Sequence, residues 1–325
     1  MAAAVCAKKR GVRCVLLFPL LFTACSAPVT PTPDAGPAGD GGFLPDPKAY
    51  DCSGRPLPAP VAKPDPCLVD RTYKTRLVAG HRGAGGQLGA LAPEDTLAAY
   101  RAAIVLGVDY VETDPRPTRD GVLVNLHDTT VDRTTTGTGA AADLSLAELQ
   151  ALPLRTEKYA GDFSCEKIPT LKQLLELCRG RVMVLIDANK TDRVDLLVKD
   201  IQDTGTLDWA IFDTSSVAKI DEALLLEPRL LTMIRVGSVA DLELQLTHFA
   251  AHPPIIVEID RNGSTKDIAA AVRAKGHRPF TDVFIEDLSV ALEGNLKAYD
   301  TSWALGIDIV QTDRPAEMLR YLKRR

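Results

Sequence analysis

From about residue 68 to the end of the chain, short apolar runs alternate with longer stretches of helical periodicity. Such an alternation is typical of a parallel α/β sheet or barrel. We predict nine strands, over Leu77–Ala79, Tyr110–Asp114, Val122–Leu126, Val182–Asp187, Ala210–Asp213, Leu230–Arg235, Ile255–Asp260, Asp282–Glu286 and Ile307–Gln311. A barrel of eight strands leaves one candidate over, which must be an extra strand or a misread helix.

Helical periodicity fills most of the intervals between these strands. We predict helices over Pro93–Leu106, Leu146–Leu152, Leu171–Cys178, Asp192–Thr204, Val217–Leu225, Val239–Phe249, Thr265–Ala274 and Pro315–Lys323. Residues 68–325 have the usual length of one barrel domain, about 250 residues, and show no internal repeat. The sequence therefore predicts an α/β protein with a single (β/α)8, or TIM, barrel.

The first 24 residues have the pattern of an export signal rather than of a folded element. Basic residues at positions 8–10 and 13 precede an apolar stretch that ends at Ala24, and this stretch is too short to span a bilayer. The small residues before Cys25 resemble the lipobox of bacterial lipoproteins, in which the cysteine becomes the lipidated N-terminus. We predict an exported periplasmic, outer-membrane or cell-surface lipoprotein, anchored to the membrane through Cys25. The alternative is an ordinary secretory signal cleaved near Ala24 or Ala27.

Residues 25–67 are rich in Pro, Gly, Ala and Asp. A segment of this composition does not bury enough apolar surface to form a core. We therefore predict a flexible tether over 25–67 that carries the barrel domain of residues 68–325.

Four cysteines follow the predicted signal and Cys25, namely Cys52, Cys67, Cys165 and Cys178. An even number in an oxidising compartment predicts disulfides, and four cysteines allow three pairings. We favour Cys52–Cys67 with Cys165–Cys178, because each bond closes a short local loop. Free thiols are the alternative, and the spacing fits no zinc site.

The charge of the chain argues against nucleic acid as a binding partner. The formal net charge is −5, and removal of the basic export signal would make it more negative still. The sequence has no basic stripe interleaved with aromatic residues, so we expect no binding to nucleic acid.

Acidic side chains follow the ends of two predicted strands. Glu112 and Asp114 are two residues apart on one strand and face the same side, and Asp187 ends another strand. Carboxylates held close together repel one another unless a cation lies between them, and oxygen ligands favour Ca²⁺ or Mg²⁺ over zinc. These three residues are the predicted metal ligands, because strand ends form the active-site face of a barrel.

Two histidines lie in similar positions. His81 and His127 each close a predicted strand, and a pair of imidazoles can act as general acid and general base near neutral pH. Arg82 offers a planar fork that suits phosphate oxygens. The glycine-rich segment 83–86 lacks the spacing of a dinucleotide-binding loop.

These segments together resemble the glycerophosphodiester phosphodiesterases. The similarity is dense in GHRGAGG, in APEDTLAAYRAAIVLGVDYVETDPRPTRDGVLVNLHD and in TTVDRTTTGTG, and it returns in IPTL and QTDRP. The resemblance implies a (β/α)8 barrel of the PI-phosphodiesterase-like kind, a Ca²⁺ or Mg²⁺ ion, and hydrolysis of glycerophosphodiesters to an alcohol and glycerol 3-phosphate.

The resemblance also implies roles for single residues. His81 and His127 match the acid–base pair, Arg82 matches the phosphate-binding arginine, and Glu112 and Asp114 match metal ligands. Asp187 replaces the usual glutamate of an E-x-K strand end, with Asn189 at the lysine position and Lys190 next to it, so we assign Lys190 to substrate binding. Asp95 replaces the usual asparagine after Glu94.

Two other functions are compatible with this sequence. One is a lysophospholipase-D-like hydrolysis of lysolipid head groups, which a membrane anchor favours. The other is a phosphodiester-binding lipoprotein without turnover, which the altered strand end at Asp187 would explain.

Overall fold

The computed structural model of the protein describes residues 44–324. The predicted signal peptide, the candidate lipid site at Cys25 and the tether up to residue 43 lie outside these residues. Within residues 44–324, no helix is long and apolar enough to cross a bilayer.

Eight of the ten strands in the described residues close into a parallel barrel, which confirms the predicted fold class. The strands are β1 Leu77–Gly80, β2 Tyr110–Thr113, β3 Pro115–Pro117, β4 Leu123–Asn125, β5 Met183–Asp187, β6 Ala210–Thr214, β7 Leu231–Val236, β8 Ile256–Ile259, β9 Arg278–Asp282 and β10 Ile309–Thr312. Around the barrel their order is β1-β10-β9-β8-β7-β6-β5-β2, and β3 pairs only with β4.

The helices cover the outside of the barrel and close its ends. They are α1 Pro66–Val69, α2 Leu97–Leu106, α3 Leu146–Ala151, α4 Leu171–Cys178, α5 Val194–Asp203, α6 Val217–Leu226, α7 Val239–His248, α8 Thr265–Ala274, α9 Phe284–Glu293, α10 Asp300–Ala304 and α11 Pro315–Tyr321. The eight predicted helices are all present, α4 and α8 with the predicted bounds and the other six with shifted ends. The sequence pattern missed α1, α9 and α10.

Of the nine predicted strands, one is the extra strand outside the barrel and one is misplaced. The candidate at Val122–Leu126 is β4, which pairs antiparallel with β3 in a hairpin outside the barrel. It is therefore the extra strand, because a short turn joins only antiparallel neighbours. The candidate at Asp282–Glu286 is misplaced. The strand is β9, in which Pro279 interrupts the sequence pattern of a strand, and the apolar run that follows β9 is the start of α9.

Alternation along the barrel strands divides the core into two layers. Leu77, Ala79, Tyr110, Met183 and Leu185 belong to a buried cluster inside the barrel. Their strand neighbours, such as Val78, Val111 and Val184, belong to the larger cluster between barrel and helices. This two-sided burial explains why the strands appear as continuous apolar runs.

The N-terminal end of the barrel is closed by residues that the sequence analysis assigned to the tether or to no element. Leu68 and Val69 of α1 pack against the interior cluster. Arg278 of β9, only 1% exposed, donates to the backbone oxygens of Cys67 and Leu68 and lies 3.0 Å from the Tyr110 hydroxyl. This end is therefore sealed, which leaves the opposite end for a site.

From residue 44 onward the predicted tether packs on the barrel. Tyr50 is 2% exposed and stacks on Phe163 with ring centroids 6.3 Å apart. Asp51 accepts a hydrogen bond of 3.0 Å from the backbone N–H of Asp162. This part of the predicted tether therefore belongs to the folded domain.

The favoured cysteine pairing is wrong. Cys52 forms a disulfide with Cys165 across 113 residues, while Cys178 is a free thiol buried in the core. Short loop length is a poor guide here, because the docking of Tyr50 and Asp51 places Cys52 next to the segment that holds Cys165. The pairing is decided by tertiary contacts.

Loss of the Cys52–Cys165 bond is expected to lower the free energy of unfolding by about 2–4 kcal/mol, because the bond closes a long loop. Urea unfolding of C52A, C165A and the double variant measures this. Each single variant should lose about as much as the double variant, since each removes the same bond. Additive losses would mean that the bond does not form.

Residues 115–170 form a small lobe over the rim of the barrel. It contains the β3–β4 hairpin and α3, and it has its own core of Val124, Leu126, Val131 and Leu149, among others. The lobe brings the segment after β4 back over the barrel mouth.

Candidate active site

The alternation that fills the barrel interior also builds the site. Going up each strand in steps of two, Tyr110 is followed by Glu112, Leu185 by Asp187, and Ala79 by His81. Because side chains two residues apart face the same side of a strand, these polar residues continue the interior stack at the C-terminal end of the barrel. This is the face on which barrel enzymes carry their active sites.

The three predicted metal ligands lie together. Oxygen atoms of Glu112, Asp114 and Asp187 are all within 4.8 Å of one another, and all three residues are buried. Asp114 Oδ2 accepts no hydrogen bond. Burial and the charge of Asp114 raise the pKa of Glu112 well above its ordinary value. Three clustered carboxylates, one of them with a buried oxygen that accepts no hydrogen bond, provide the oxygen ligands that a hard divalent cation prefers.

Cationic side chains surround these carboxylates. Arg82 Nε is 3.3 Å from Asp114 Oδ2, and Lys190 Nζ is 3.5 Å from Asp114 Oδ1 and 3.9 Å from Asp187 Oδ2. The predicted substrate-binding pair is therefore placed beside the predicted metal ligands, where an anionic group bound to the cation would meet it.

Asn189, which takes the position of the expected lysine, has a structural role. Its backbone and side-chain N–H groups both donate to Asp187 Oδ1, at 2.8 and 2.7 Å. Its carbonyl oxygen accepts from the hydroxyls of Thr214 and Ser215. Asn189 therefore fixes the Asp187 carboxylate, and the neighbouring Lys190 places an ammonium group beside Asp114 and Asp187.

The glycine-rich segment after β1 wraps around Asp313. The backbone N–H groups of Gly86 and Leu88 donate to the two carboxylate oxygens of Asp313, at 2.8 and 2.9 Å. A Cβ on Gly85, whose φ is +125°, would lie 2.2 Å from the Asp313 backbone oxygen. Glycine is required there because the two backbones are so close.

Asp313 in turn holds His81. His81 Nδ1 is 2.6 Å from Asp313 Oδ1, and His81 Nε2 is 3.8 Å from Glu112 Oε2. Burial opposes the charged imidazole, but the bond to Asp313 and the charge of Glu112 outweigh it and raise the pKa of His81 to about 10. Nε2 is left to face the site.

His127 is held in the same way but comes from the lobe, not from a barrel strand. It lies two residues after the end of β4, and its Nδ1 is 2.8 Å from Asp128 Oδ1. Burial lowers its pKa below the ordinary value. Each histidine thus has a carboxylate on Nδ1 and presents Nε2, which is the arrangement that orients an acid–base imidazole.

Arg133 connects the part of the site around His127 to the part around Arg82. Its guanidinium donates to both oxygens of Asp128, at 2.7 and 3.1 Å, and to both oxygens of Glu94, at 2.6 and 2.7 Å. Glu94 also accepts from Arg82 at 2.7 Å. Arg133 therefore links the carboxylate that holds His127 to the carboxylate that holds Arg82.

We expect Arg133→Met to lower kcat by about 10–100-fold through displacement of these groups, with a smaller change in KM. Arg133→Lys should restore only part of the loss, because an ammonium group cannot form two forked pairs. Steady-state kinetics with a glycerophosphodiester measures kcat and KM of both variants. Arg229→Met is the matched control, because Arg229 forms a forked pair with Glu227 at the surface. An equal loss in both variants would contradict a positioning role.

The sequence analysis missed a second charged group in the same layer. Arg235 of β7 lies 2.5 Å from Asp213 Oδ2, 2.9 Å from Glu258 Oε2 and 3.5 Å from Asp187 Oδ2. Burial raises the pKa of Glu258 to about 8 and that of Asp213 to about 6, although Arg235 opposes both shifts. The two-residue alternation along β6, β7 and β8 is the signal that predicts their inward direction.

A model of the Glycerophosphoryl diester phosphodiesterase family matches residues 81–252, just over half of the chain. A curated glycerophosphodiester phosphodiesterase of Caldanaerobacter subterraneus is 44% identical over 101 residues, which are 31% of this chain and 40% of that protein. The chain thus spans less than half the length of this relative.

Solved structures agree with the barrel. A glycerophosphoryl diester phosphodiesterase from Parabacteroides distasonis superposes with a TM-score of 0.68 and 22% identity, over 81% of this chain and 93% of that one. A phosphodiesterase from Oleispira antarctica, in complex with the product sn-glycerol-3-phosphate, gives 0.61 and 22% identity over 77% and 97%. At this identity the likeness concerns the fold.

Proposed function

Because the chain belongs to the glycerophosphoryl diester phosphodiesterase family, we propose that it hydrolyses glycerophosphodiesters to an alcohol and glycerol 3-phosphate with a bound divalent cation, Ca²⁺ or Mg²⁺. The observation that carries the proposal is the convergence of Glu112, Asp114 and Asp187 within 4.8 Å, next to the two held histidines. The product complex of the Oleispira phosphodiesterase is consistent with it.

Glu112, Asp114 and Asp187 would hold the cation through their oxygen atoms. When bound, it supplies electrophilic stabilisation of the charge on the phosphate oxygens. Arg82 and Lys190 bind and orient the phosphodiester beside the three carboxylates. The guanidinium of Arg82 is buried, and its ion pair with Glu94 keeps it in place.

His81 and His127 form the proposed acid–base pair. One Nε2 removes a proton from the attacking hydroxyl, and the other gives a proton to the departing alkoxide. The attacking hydroxyl is the glycerol 2-hydroxyl, so the P–O bond to the alcohol breaks as a P–O bond to this oxygen forms and closes a cyclic phosphate. Water then attacks phosphorus and breaks the bond to the 2-oxygen, which gives glycerol 3-phosphate and consumes one water overall. Asp313 and Asp128 hold the two rings at Nδ1.

The test is the release of glycerol 3-phosphate from glycerophosphocholine by the full chain with Ca²⁺, with Mg²⁺ and with EDTA. Release that depends on either ion is the expected result. Binding of the substrate without release under any condition would overturn hydrolysis and favour a phosphodiester-binding protein.

We further propose that the protein is exported and held at the membrane through Cys25. The Cys52–Cys165 disulfide supports an oxidising compartment. Metabolic labelling of the expressed protein with palmitate tests the anchor, and Cys25→Ser should abolish the label. An unlabelled wild-type protein would instead favour the secretory signal.

A further inference from the structure

Helix α9 has the reverse of the usual arrangement of side chains on a surface helix. Its buried face carries Glu286 and Asp287, which are 5% and 0% exposed, while Ile285, Leu288 and Leu292 are 70%, 36% and 77% exposed. A surface helix normally turns its apolar residues to the core. Together with Phe284, 38% exposed, these three residues form an apolar surface that we call the α9 stripe.

The inverted arrangement is fixed by hydrogen bonds. Asp287 accepts from the hydroxyls of Tyr299 and Thr312, at 2.8 and 2.7 Å, and from the backbone N–H of Asp313 at 2.6 Å. Glu286 accepts from Ser302 and Arg261. Rotation of α9 to bury the stripe would turn both carboxylates outward and leave the buried groups that donate to Asp287 without an acceptor, which is costly. The stripe therefore stays outside.

The stripe lies beside the candidate active site. α9 starts directly after β9, at the C-terminal end of the barrel. Its Asp287 binds the backbone of Asp313, and Asp313 holds the imidazole of His81. One helix diameter, ~10 Å, thus separates the outer surface of α9 from the backbone of Asp313, the residue whose side chain holds His81.

The stripe is also the main concentration of exposed apolar side chains. In residues 44–324, four of the ten exposed large hydrophobic residues are on α9. The others lie singly or in pairs, as at Leu225 and Leu226 of α6 or Leu244 of α7. Scattered apolar residues are ordinary, whereas a contiguous group marks a binding surface.

We infer that the α9 stripe receives the acyl chain of a lysophospholipid whose phosphodiester enters the barrel mouth. This inference rests on the proposed function and specifies its substrate class. An aliphatic chain needs no hydrogen-bonding partner and gains by leaving water. The stripe has three aliphatic residues, and Phe284 is its one member of the set Tyr, Trp, Phe, Met and Arg that is enriched in the core of a protein interface. Its length is about 12 Å at 1.5 Å per residue.

The experiment compares lysophosphatidylcholine, below its micelle concentration, with glycerophosphocholine as substrates of the full chain with its metal ion. The variant I285Q/L288Q/L292Q removes most of the stripe. L225Q/L244Q is the matched control, because Leu225 and Leu244 are 88% and 73% exposed on helices away from the stripe. All proteins have the same N-terminus, so any anchor contributes equally.

We expect kcat/KM for lysophosphatidylcholine to fall by about tenfold or more in the stripe variant, through KM. Its kcat/KM for glycerophosphocholine should stay within about twofold, and the control should match the wild type in both.

Three results would overturn the inference. One is an unchanged kcat/KM of the stripe variant for the lysolipid, and another is no binding or turnover of the lysolipid by the wild type. The third is a wild-type dimer in sedimentation that the stripe variant alone dissociates, because the stripe is then an interface between copies. Stripe-dependent binding of the lysolipid without turnover of either substrate would leave the inference standing and refute the proposed hydrolysis.

Discussion

Replacing His81 or His127 by alanine is expected to lower kcat for glycerophosphodiester hydrolysis by about 10²–10⁴-fold, the usual contribution of a positioned acid or base. Each imidazole is held at Nδ1 by its own carboxylate, and charged groups of the same site, including Arg82, shift the pKa of both.

The double variant separates a joint role from two independent ones. If the two histidines act in one proton-transfer sequence, removing both should cost little more than removing one. KM should change much less than kcat, because Arg82 and Lys190 remain. Steady-state kinetics with glycerophosphocholine measures all three proteins.

His248→Ala is the matched control for this series. His248 is exposed on α7 and lies 2.8 Å from Asp221 of α6, so its loss should leave kcat unchanged. Wild-type kcat in both His81→Ala and His127→Ala would refute the acid–base pair. A loss in His248→Ala as large as in the other two would point to a general loss of folded protein.

The parts of this site that sequence predicts are those fixed by strand periodicity. A side chain two residues beyond an interior residue of a barrel strand faces the mouth, so the positions of His81, Glu112 and Asp187 follow from local pattern. Asp213, Arg235 and Glu258 obey the same rule. They could have been predicted from it, but they carry no motif that calls attention to them.

The remaining parts depend on contacts between segments that are far apart in sequence. Asp313 meets His81 across 232 residues, and Arg133 meets Glu94 across 39. The Cys52–Cys165 bond follows from the docking of a segment that composition alone assigns to a tether. No local pattern gives such pairings, because they are decided by how the closed barrel places its loops.

The sequence analysis mispredicted helix α9 for a different reason. Its apolar residues are exposed and its acidic residues are buried, so a search for a core-facing stripe finds the wrong surface. The sequence analysis placed a strand there because Val283, Phe284 and Ile285 form an apolar run. The buried hydrogen bonds of Asp287 decide the orientation of the helix, and their partners come from two other segments, one at Tyr299 and one at Thr312 and Asp313.

Removal of the divalent cation is expected to abolish turnover and to destabilise the protein. The carboxylates of Glu112, Asp114 and Asp187 are buried side by side, so a cation that binds only the folded state stabilises it by about 2.7 kcal/mol at a hundred times its Kd. For a domain of this size that corresponds to a rise in Tm of about 5–10 °C. Differential scanning calorimetry with EDTA, Ca²⁺ and Mg²⁺ measures it.

The stabilisation should depend on pH in a definite direction. The pKa of Glu112 is raised in the folded state, so without metal the folded protein binds more protons than the unfolded chain. The stability that this shift contributes is then fully present below the ordinary pKa of 4.5 and is lost as the pH rises toward the raised pKa. A cation competes with these protons. The rise in Tm on adding Ca²⁺ or Mg²⁺ should therefore be larger at pH 8 than at pH 5.5.

Substitution of a single ligand separates the metal site from its surroundings. Glu112→Gln and Asp187→Asn should each weaken metal binding by at least about 10²-fold, since even the groups that orient a ligand contribute 10–100-fold. Titration calorimetry measures this without reference to turnover. Asp203→Asn is the control, because that carboxylate pairs with Lys172 and Lys199 on the surface.

Glu112→Gln has a further consequence that distinguishes a cation site from a structural acidic cluster. Without metal, the variant should be more stable than the wild type at pH 8, because one of three mutually repelling buried carboxylates is gone. With metal the order should reverse, because only the wild type gains the binding energy. If the variant is instead less stable than the wild type in EDTA, contacts within the protein stabilise the Glu112 carboxylate without a cation. That result would refute the cation site in the proposed function.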